Sequence, residues 1–329
     1  QRQQPRTLQV FLIIVLVLLT VCVLVKAFFL KAPEQKAAEL PAKPASSDTD
    51  SQQSPEEQAA QEALRSHLER KGGFYTILLS GLDDDNGGSD TNILVAVDTV
   101  NGYVYGVSIP RDSKAIIGGK AHKINYAYNK GGTELLADTV SEQLGIPVDY
   151  TVSVNLKGFT ALVDAIGGVD FDVPINMDYD DPIQNLSIHF KKGVQHLSGA
   201  DALRVVRFRH NNDGSGYGSE DLGRMATQQK FLKAVAKKML SAGNILTKID
   251  DYAKIFNQYV DTNLTVGNLA WLGTEVLKMG VDKIDFSTLP NAWKYPYIYL
   301  DPTETLTLVN TYLNPYVEDR TADDLNIPG

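Results

Sequence analysis

Arginine is scarce and unevenly placed in this chain. Beyond residue 72 there are sixteen lysines but only six arginines, Arg111, Arg204, Arg207, Arg209, Arg224 and Arg320, and four of the six fall between positions 204 and 224. A guanidinium offers a planar fork that grips phosphate or carboxylate in two places, which an ammonium cannot imitate. Crowding the rare cation into one stretch therefore points to recognition of an oxyanion. The plain alternative is helix-surface pairing with Glu220 and Asp221.

Spacing favours the first reading. Asp221, Arg224 and Gln228 stand at i, i+3 and i+7, so they share one face of a helix that turns about 100° per residue. With Met225 set at zero, Leu232 and Ala236 fall within about 20° of it, while Lys230, Lys233 and Lys237 gather on the solvent side. The Asp221, Arg224, Gln228 row borders the opposite edge of the buried stripe, where it can face a cleft. If residues 207–209 are extended, Arg207 and Arg209 share one side, with Val206 and Phe208 on the other. Three guanidiniums would then converge on one ligand.

The carboxylates that could work with them stand in two loops at strand ends. Asp90 follows a turn-like run from Leu82 to Ser89, and Asp112 follows Arg111. Mg2+ is commonly held by one or two carboxylates together with substrate phosphates and waters, so Asp90, Asp112 and the arginines would make a diphosphate site. Asp83 to Asp85, beside Asn86 and Gly87, read as an ordinary Asp-rich turn. Asn211, Asp213, Ser215 and Gly216 imitate the start of a calcium loop, but Leu222 stands where the bidentate Glu is required. No Walker loop, GxSxG elbow or HExxH occurs, and the single cysteine, Cys22, excludes thiol chemistry in the rest of the chain.

Positioning these groups requires strands alternating with helices. Phe74 to Ser80 reads as a buried strand, and Asn92 to Val97 with Tyr103 to Ile109 flank Asn101-Gly102 as a hairpin. Glu134 to Leu144, capped by Thr133 and stopped by Gly145, reads as a helix, followed by a strand from Val148 to Val154. Asn155 caps a helix ending at Gly167-Gly168, and Val169 to Val173 is a strand. Helices are expected at Asp221–Leu240, Asn244–Val260, Val266–Met279 and Thr303–Leu313, with strands at Lys283–Leu289 and Tyr297–Leu300. The expectation is an α/β fold: a layered α/β/α domain with a mixed sheet.

The beginning of the chain differs. Leu8 to Val25 is 18 residues without a charge, and only Lys26 interrupts the apolar run to Leu30, which predicts one transmembrane helix. Arg2 and Arg6 before it favour a cytoplasmic N-terminus and an extracellular main domain. The run is long for a cleaved signal peptide, and Val21 does not suit a lipoprotein anchor at Cys22. Three segments are expected: 1–30, a cytoplasmic tail and span; 31–71, an Ala-, Gln-, Glu- and Pro-rich extracellular stalk; and 72–329, a catalytic domain. From residue 72 on, 22 basic residues face 32 acidic ones, which argues against nucleic acid as a partner.

A set of ordered motifs resembles one family. SDT (Ser89 to Thr91), SIPRD (Ser108 to Asp112), KINYAY (Lys123 to Tyr128), IGGVDFDVP (Ile166 to Pro174), RFRH (Arg207 to His210) and DLGR with QQ (Asp221 to Arg224, Gln228 and Gln229) are similar to those of the LytR-CpsA-Psr family. The resemblance implies a single-pass membrane protein of the Gram-positive cell surface. Its activity would be a Mg2+-dependent phosphotransferase, with Mn2+ as the alternative ion. It would move a phosphate-linked glycopolymer such as teichoic acid or capsule from a polyprenyl diphosphate carrier to peptidoglycan. The resemblance also implies that Asp90 and Asp112 hold the metal, that Arg111, Lys123, Arg207, Arg209 and Arg224 bind the diphosphate, and that Asp221 and Gln228 support them. The family commonly has Arg where this chain has Gly88 and Thr227. That departure motivates a rival reading, a non-catalytic wall-polymer binding or regulatory protein; a polyprenyl diphosphatase using water is a third.

Overall fold

Phe74, Thr76 and Leu78 face one way and Tyr75, Ile77 and Leu79 the other, and all six are buried or nearly so, the pattern of a strand covered on both sides. They belong to β1 (Phe74–Leu82), the centre of the architecture. The structure, a computed structural model, describes residues 30–35, 68–82, 88–183, 186–218, 220–239, 251 and 254–329; at 220–222 and 281 only the backbone is described.

β1 pairs antiparallel with β2 (Ser89–Asp98), and β2 with β3 (Tyr103–Ile109). The β2–β3 turn forms around Asn101-Gly102 as expected. Asp98 Oδ1 accepts the Val100 and Asn101 amides at 3.0 and 2.8 Å, and Gly102 adopts φ +72°, where glycine carries no Cβ penalty. A short hairpin, β4 (Lys114–Ile117) and β5 (Lys120–Lys123), precedes helix α1 (Asn125–Leu144). The expected start at Thr133 is the second half of α1. The helix already begins at Asn125 and kinks at Gly131 and Gly132, whose backbone angles are non-helical, and Thr133 Oγ1 lies 3.2 Å from Ser153 Oγ rather than capping.

β6 (Tyr150–Asn155) then pairs parallel with β1, and Asn155 accepts the Gly158 amide to start α2 (Leu156–Ala165). Next come β7 (Val169–Val173), β8 (Met177–Asp181), β9 (Leu186–Phe190), β10 (Gly193–Leu197) and α3 (Gly199–Arg207). The long helix α4 (Glu220–Met239) follows. Residues 254–259 are helical, but Val260 opens β11 (Val260–Thr262), so the helix expected to reach Val260 stops short, and its first residues lie outside those described. The last elements are α5 (Val266–Met279), β12 (Ile284–Thr288), the hairpin β13 (Asn291–Lys294) and β14 (Tyr297–Leu300), and α6 (Pro302–Leu308).

The main sheet runs β11-β6-β1-β2-β3-β12, mixed as expected, with β1/β6 and β3/β12 parallel and the other pairs antiparallel. One face packs Leu78, Leu94 and Val107 against Leu136 and Val140 of α1 and against Val309 and Leu313 beyond α6. The other packs Ile77, Ile93 and Val95 against Leu272 of α5 and Leu232 and Ala236 of α4. Helices thus cover both faces. A third core joins α2, α3 and β7 to β10 to Phe231 and Val235 of α4, so α4 is shared by two packing units.

The span read at Leu8–Leu30 and the middle of the stalk lie outside the described residues; among the described residues no helix is long and apolar enough to cross a membrane. Both described ends of the 31–71 segment touch the domain. Gln35 Nε2 donates to the carbonyls of Lys71 and Phe74 at 2.8 Å, and Arg70 makes a bidentate pair with Asp149 at 2.7 and 2.8 Å.

Candidate active site

Asp90 is the second residue of β2 and Arg111 and Asp112 follow β3, so the β2–β3 pairing alone brings them to one end of the sheet. Arg111 spans the two carboxylates, with Nη1 2.7 Å from Asp90 Oδ1 and Nε 3.6 Å from Asp112 Oδ1. Lys123, at the end of β5, reaches the same Asp112 oxygen at 3.2 Å. Asp112 Oδ1 is buried yet accepts no well-directed hydrogen bond from the protein, and Asn92 Oδ1 and Ser89 Oγ beside Asp90 are likewise buried without a partner. Asp90, Asn92 and Asp112 line the same small notch, and carboxylate and amide oxygens are what a hard cation takes.

Arg207, Arg209 and Arg224 join Asp90 and Arg111 in the lining of a cleft of about 440 Å3. The convergence expected from the sequence is present, but its cause differs. Residues 207–209 are not a strand: Arg207 is the last residue of α3, a helix started by Ser198, whose side chain accepts the Asp201 amide. Phe208 is fully buried and leaves the helical conformation at φ −60°, ψ 136°, so the chain turns about this anchor and both flanking arginines reach the cleft. Arg204 makes a helix-surface pair with Asp201 at 2.8 Å, an acidic residue other than the Glu220 and Asp221 that the plain alternative named.

On α4, Arg224 and Gln228 face the cleft as the helical arithmetic predicts, and Gln228 Nε2 donates to the Val206 carbonyl at 3.0 Å, tying α4 to the end of α3. The Asp221 side chain lies outside the described residues. Sequence reasoning missed Gln229, whose Nε2 reaches Ser108 Oγ, the Ser287 carbonyl and Thr288 Oγ1 at 3.0, 2.8 and 3.1 Å and so ties α4 to β3 and β12. It also missed the inner wall of the cleft, where Val154, Leu156, Phe159, Leu203, Val206 and Phe231 give an apolar lining. These come from four separate elements, so no local periodicity marks them. The QQ motif was a signal for Gln229.

The two departures have structural explanations. Gly88 adopts φ +121°, where an L side chain is strained, and an added Cβ would stand 3.1 Å from Asn129 Oδ1. Thr227 is buried, with Oγ1 2.9 Å from the Gly223 carbonyl and 3.0 Å from the Tyr217 hydroxyl, so it serves the packing behind the helix rather than the cleft. Burial pushes the Tyr217 phenol up from its ordinary range, keeping it a neutral partner for Thr227.

Among the described residues the cleft is lined by Arg111, Arg207, Arg209, Arg224 and Asp90, with Asp112 and its partner Lys123 beside it, in a domain that is acidic overall. A cleft lined by both guanidiniums and apolar side chains fits an amphiphile with an anionic head. The sequence pattern of the LytR_cpsA_psr family matches residues 40–313, and the chain belongs to that family. Over 202 residues it is 37% identical to the polyisoprenyl-teichoic acid–peptidoglycan teichoic acid transferase TagV of Bacillus subtilis strain 168, covering 58% of this chain and 50% of that protein. It is also 37% identical over 195 residues to the transferase TagU of Bacillus cereus ATCC 14579, covering 58% and 60%. The chain thus spans half to three fifths of the length of these curated relatives. The crystal structure of B. subtilis TagV superposes with a TM-score of 0.62 at 31% identity, covering 73% of this chain and 96% of that one.

Proposed function

We propose that this protein transfers a phosphate-linked glycopolymer from a polyprenyl diphosphate carrier to peptidoglycan. The observation that carries the reading is one cleft lined by apolar side chains together with four arginines and Asp90, with Asp112 paired to Arg111 beside it. The prenyl chain lies along Phe159, Leu203 and Phe231, and the diphosphate meets Arg207, Arg209 and Arg224. Phosphoryl transfer needs charge neutralisation and in-line positioning more than covalent help, and guanidiniums aimed at the phosphate oxygens supply both. A hydroxyl of the acceptor sugar attacks the phosphorus that bears the polymer. Its proton passes to the carboxylate of Asp90 or Asp112, and the bond to the bridging oxygen breaks to release prenyl monophosphate.

Asp90 and Asp112 would hold Mg2+, or Mn2+ in its place, which when bound neutralises developing charge on the phosphate oxygens. Arg111, paired with both aspartates, orients them; Lys123 steadies Asp112. The apolar run Leu8–Leu30 would anchor the chain in the membrane with the catalytic domain outside, and protease added to wall-stripped cells should then digest the domain while the membrane stays sealed. Digestion only after lysis would overturn that orientation.

The enzyme reading is tested by incubating the full chain with a polyprenyl diphosphate-linked glycan and a peptidoglycan oligomer, with and without EDTA. Prenyl monophosphate and polymer-bearing peptidoglycan should form together, stop with EDTA and return with Mg2+. Prenyl monophosphate at the same rate without peptidoglycan would indicate a diphosphatase, and donor binding without turnover a wall-polymer binding protein.

A further inference from the structure

The β13–β14 hairpin stands beside the candidate site and presents aromatic rings to solvent. Its register is anchored at the chemistry: the Ile298 amide donates to the Asp112 carbonyl at 2.9 Å, and Ile298 lines a small notch that also holds Asp90, Arg111, Asp112 and Arg224. Ile298 pairs directly across the hairpin with Trp293, and directly paired residues of an antiparallel ladder share a face. Trp293 therefore lies on the face of the hairpin that meets the notch. Two strand-to-strand steps of about 5 Å each set it roughly 10 Å from the Asp112 backbone.

The aromatics on the opposite face hold the hairpin in place. Tyr299 lies under Lys114 and Lys294, whose Nζ atoms stand 5.1 and 5.9 Å from its ring, and the Tyr297 hydroxyl donates to the Ala121 carbonyl at 3.2 Å. Trp293, by contrast, is 60% exposed, and Tyr295 in the loop is 87% exposed. Lysines border the hairpin, with Lys114 and Lys294 on its Tyr299 face. Residues 114–130 carry four lysines and no acidic residue, and residues 291–300 add Lys294 and again no acidic residue, although the domain as a whole is acidic.

We propose that Trp293 and Tyr295, at the edge of this lysine-bearing hairpin, form the platform for the acceptor, an anionic glycan strand whose sugar rings lie on the exposed indole and whose peptide carboxylates meet the lysines around it. The proposal rests on the transferase reading above. Direction favours the acceptor over the donor polymer. Attacking and leaving oxygens must stand roughly in line on the phosphorus, and the departing prenyl phosphate occupies the apolar cleft. The notch shares Asp90, Arg111, Arg224 and Gln228 with the cleft and continues from them to Asp112 and Ile298, so it leads from the cleft to the hairpin.

The test uses the full chain in detergent, a peptidoglycan oligosaccharide with free stem-peptide carboxylates, and a polyprenyl diphosphate-linked glycan. Trp293→Ala should raise the calorimetric Kd and the KM for the oligosaccharide about tenfold, the effect of uncovering part of one large aromatic contact. The KM for the donor should stay within about twofold, as expected of a residue outside the donor site, and Trp293→Phe should keep most of the affinity. An unchanged oligosaccharide Kd in Trp293→Ala, or no oligosaccharide binding by the wild type, overturns the proposal. An equal rise in donor KM would assign the hairpin to the donor and overturn it as well. If the wild type binds the oligosaccharide but forms no prenyl monophosphate, the transferase reading fails, while the Kd comparison still decides the platform.

Discussion

Arg111 contacts both site aspartates, which makes it the hinge of the charge arrangement, whereas Arg207 and Arg209 line the cleft with it. Removing one charge-assisted contact from a water-poor phosphoryl-transfer site removes about 3 kcal/mol of transition-state stabilisation, roughly a hundredfold in rate. Arg207→Ala and Arg209→Ala should therefore each cut kcat/KM by about that factor, and the lysine variants should not restore it, because a point charge lacks the planar fork. Arg204→Ala and Lys237→Ala should stay within about threefold of wild type, since exposed charges are worth little. Steady-state kinetics on folded variants decides this, and a fully active Arg207→Ala would remove Arg207 from the site. These residues were legible because arginine is rare in this chain. Their geometry was not, because whether residues 207–209 run as helix or strand is decided by burial of Phe208 in the third core, a contact local sequence does not contain.

The elements around the cleft divide into rigid and adjustable parts. α4 is fixed on one side by Gln228 to α3 and on the other by Gln229 to β3 and β12, and its shared packing explains why the face arithmetic for Arg224 and Gln228 holds. Replacing Leu203 in the cleft wall with Trp should fill space that the prenyl chain needs, raising donor KM about tenfold or more while Asp90, Arg111 and Asp112 stay in place. A donor KM equal to wild type would mean that the lipid lies elsewhere.

The β8–β9 hairpin, which reaches the cleft through Tyr179 and Leu186, is the more exposed wall. His189 Nδ1 stands 2.7 Å from Asp178 Oδ1 and Nε2 3.3 Å from Asp180 Oδ1, and the hydrogen bond to Asp178 leads the effects that raise its pKa above the ordinary histidine value. A raised folded pKa gives stabilisation that is fully present below the unfolded value and fades as pH rises through the folded one. Amide protection in this hairpin, taken relative to the base-catalysed intrinsic rate, should fall as pH rises through that window, and a His189 NMR titration with no upward shift would contradict it. Strands β8, β9 and β10 could not be read in advance, because short polar segments such as Met177–Asp181 are strands through their partners rather than through local periodicity.

At the scale of the whole molecule, the continuous apolar strands, the Asn101-Gly102 turn and the Asn155 cap were legible because a short apolar run, a turn pair or a cap dictates each of them locally. The attachment of the preceding segment was not, because it depends on a contact 79 residues away. Arg70 makes its bidentate pair with Asp149, whose side chain is fully buried and also accepts the Thr76 amide at 3.0 Å. Removing one partner of a buried ion pair strands the other, so Arg70→Ala should destabilise the domain by about 3 to 5 kcal/mol. Chemical denaturation should read that loss, and a variant as stable as wild type would mean that Asp149 finds another partner. Under the proposed transferase function the cleft takes a lipid-linked diphosphate and breaks its bridging bond between the arginines and the two aspartates. The most direct measurement is 31P NMR of a polyprenyl diphosphate-linked glycan mixed with the full chain, Mg2+ and a peptidoglycan oligomer. The account predicts loss of both diphosphate resonances with equal growth of one phosphomonoester and one phosphodiester signal. Persistence of the diphosphate resonances while the donor is bound would contradict it.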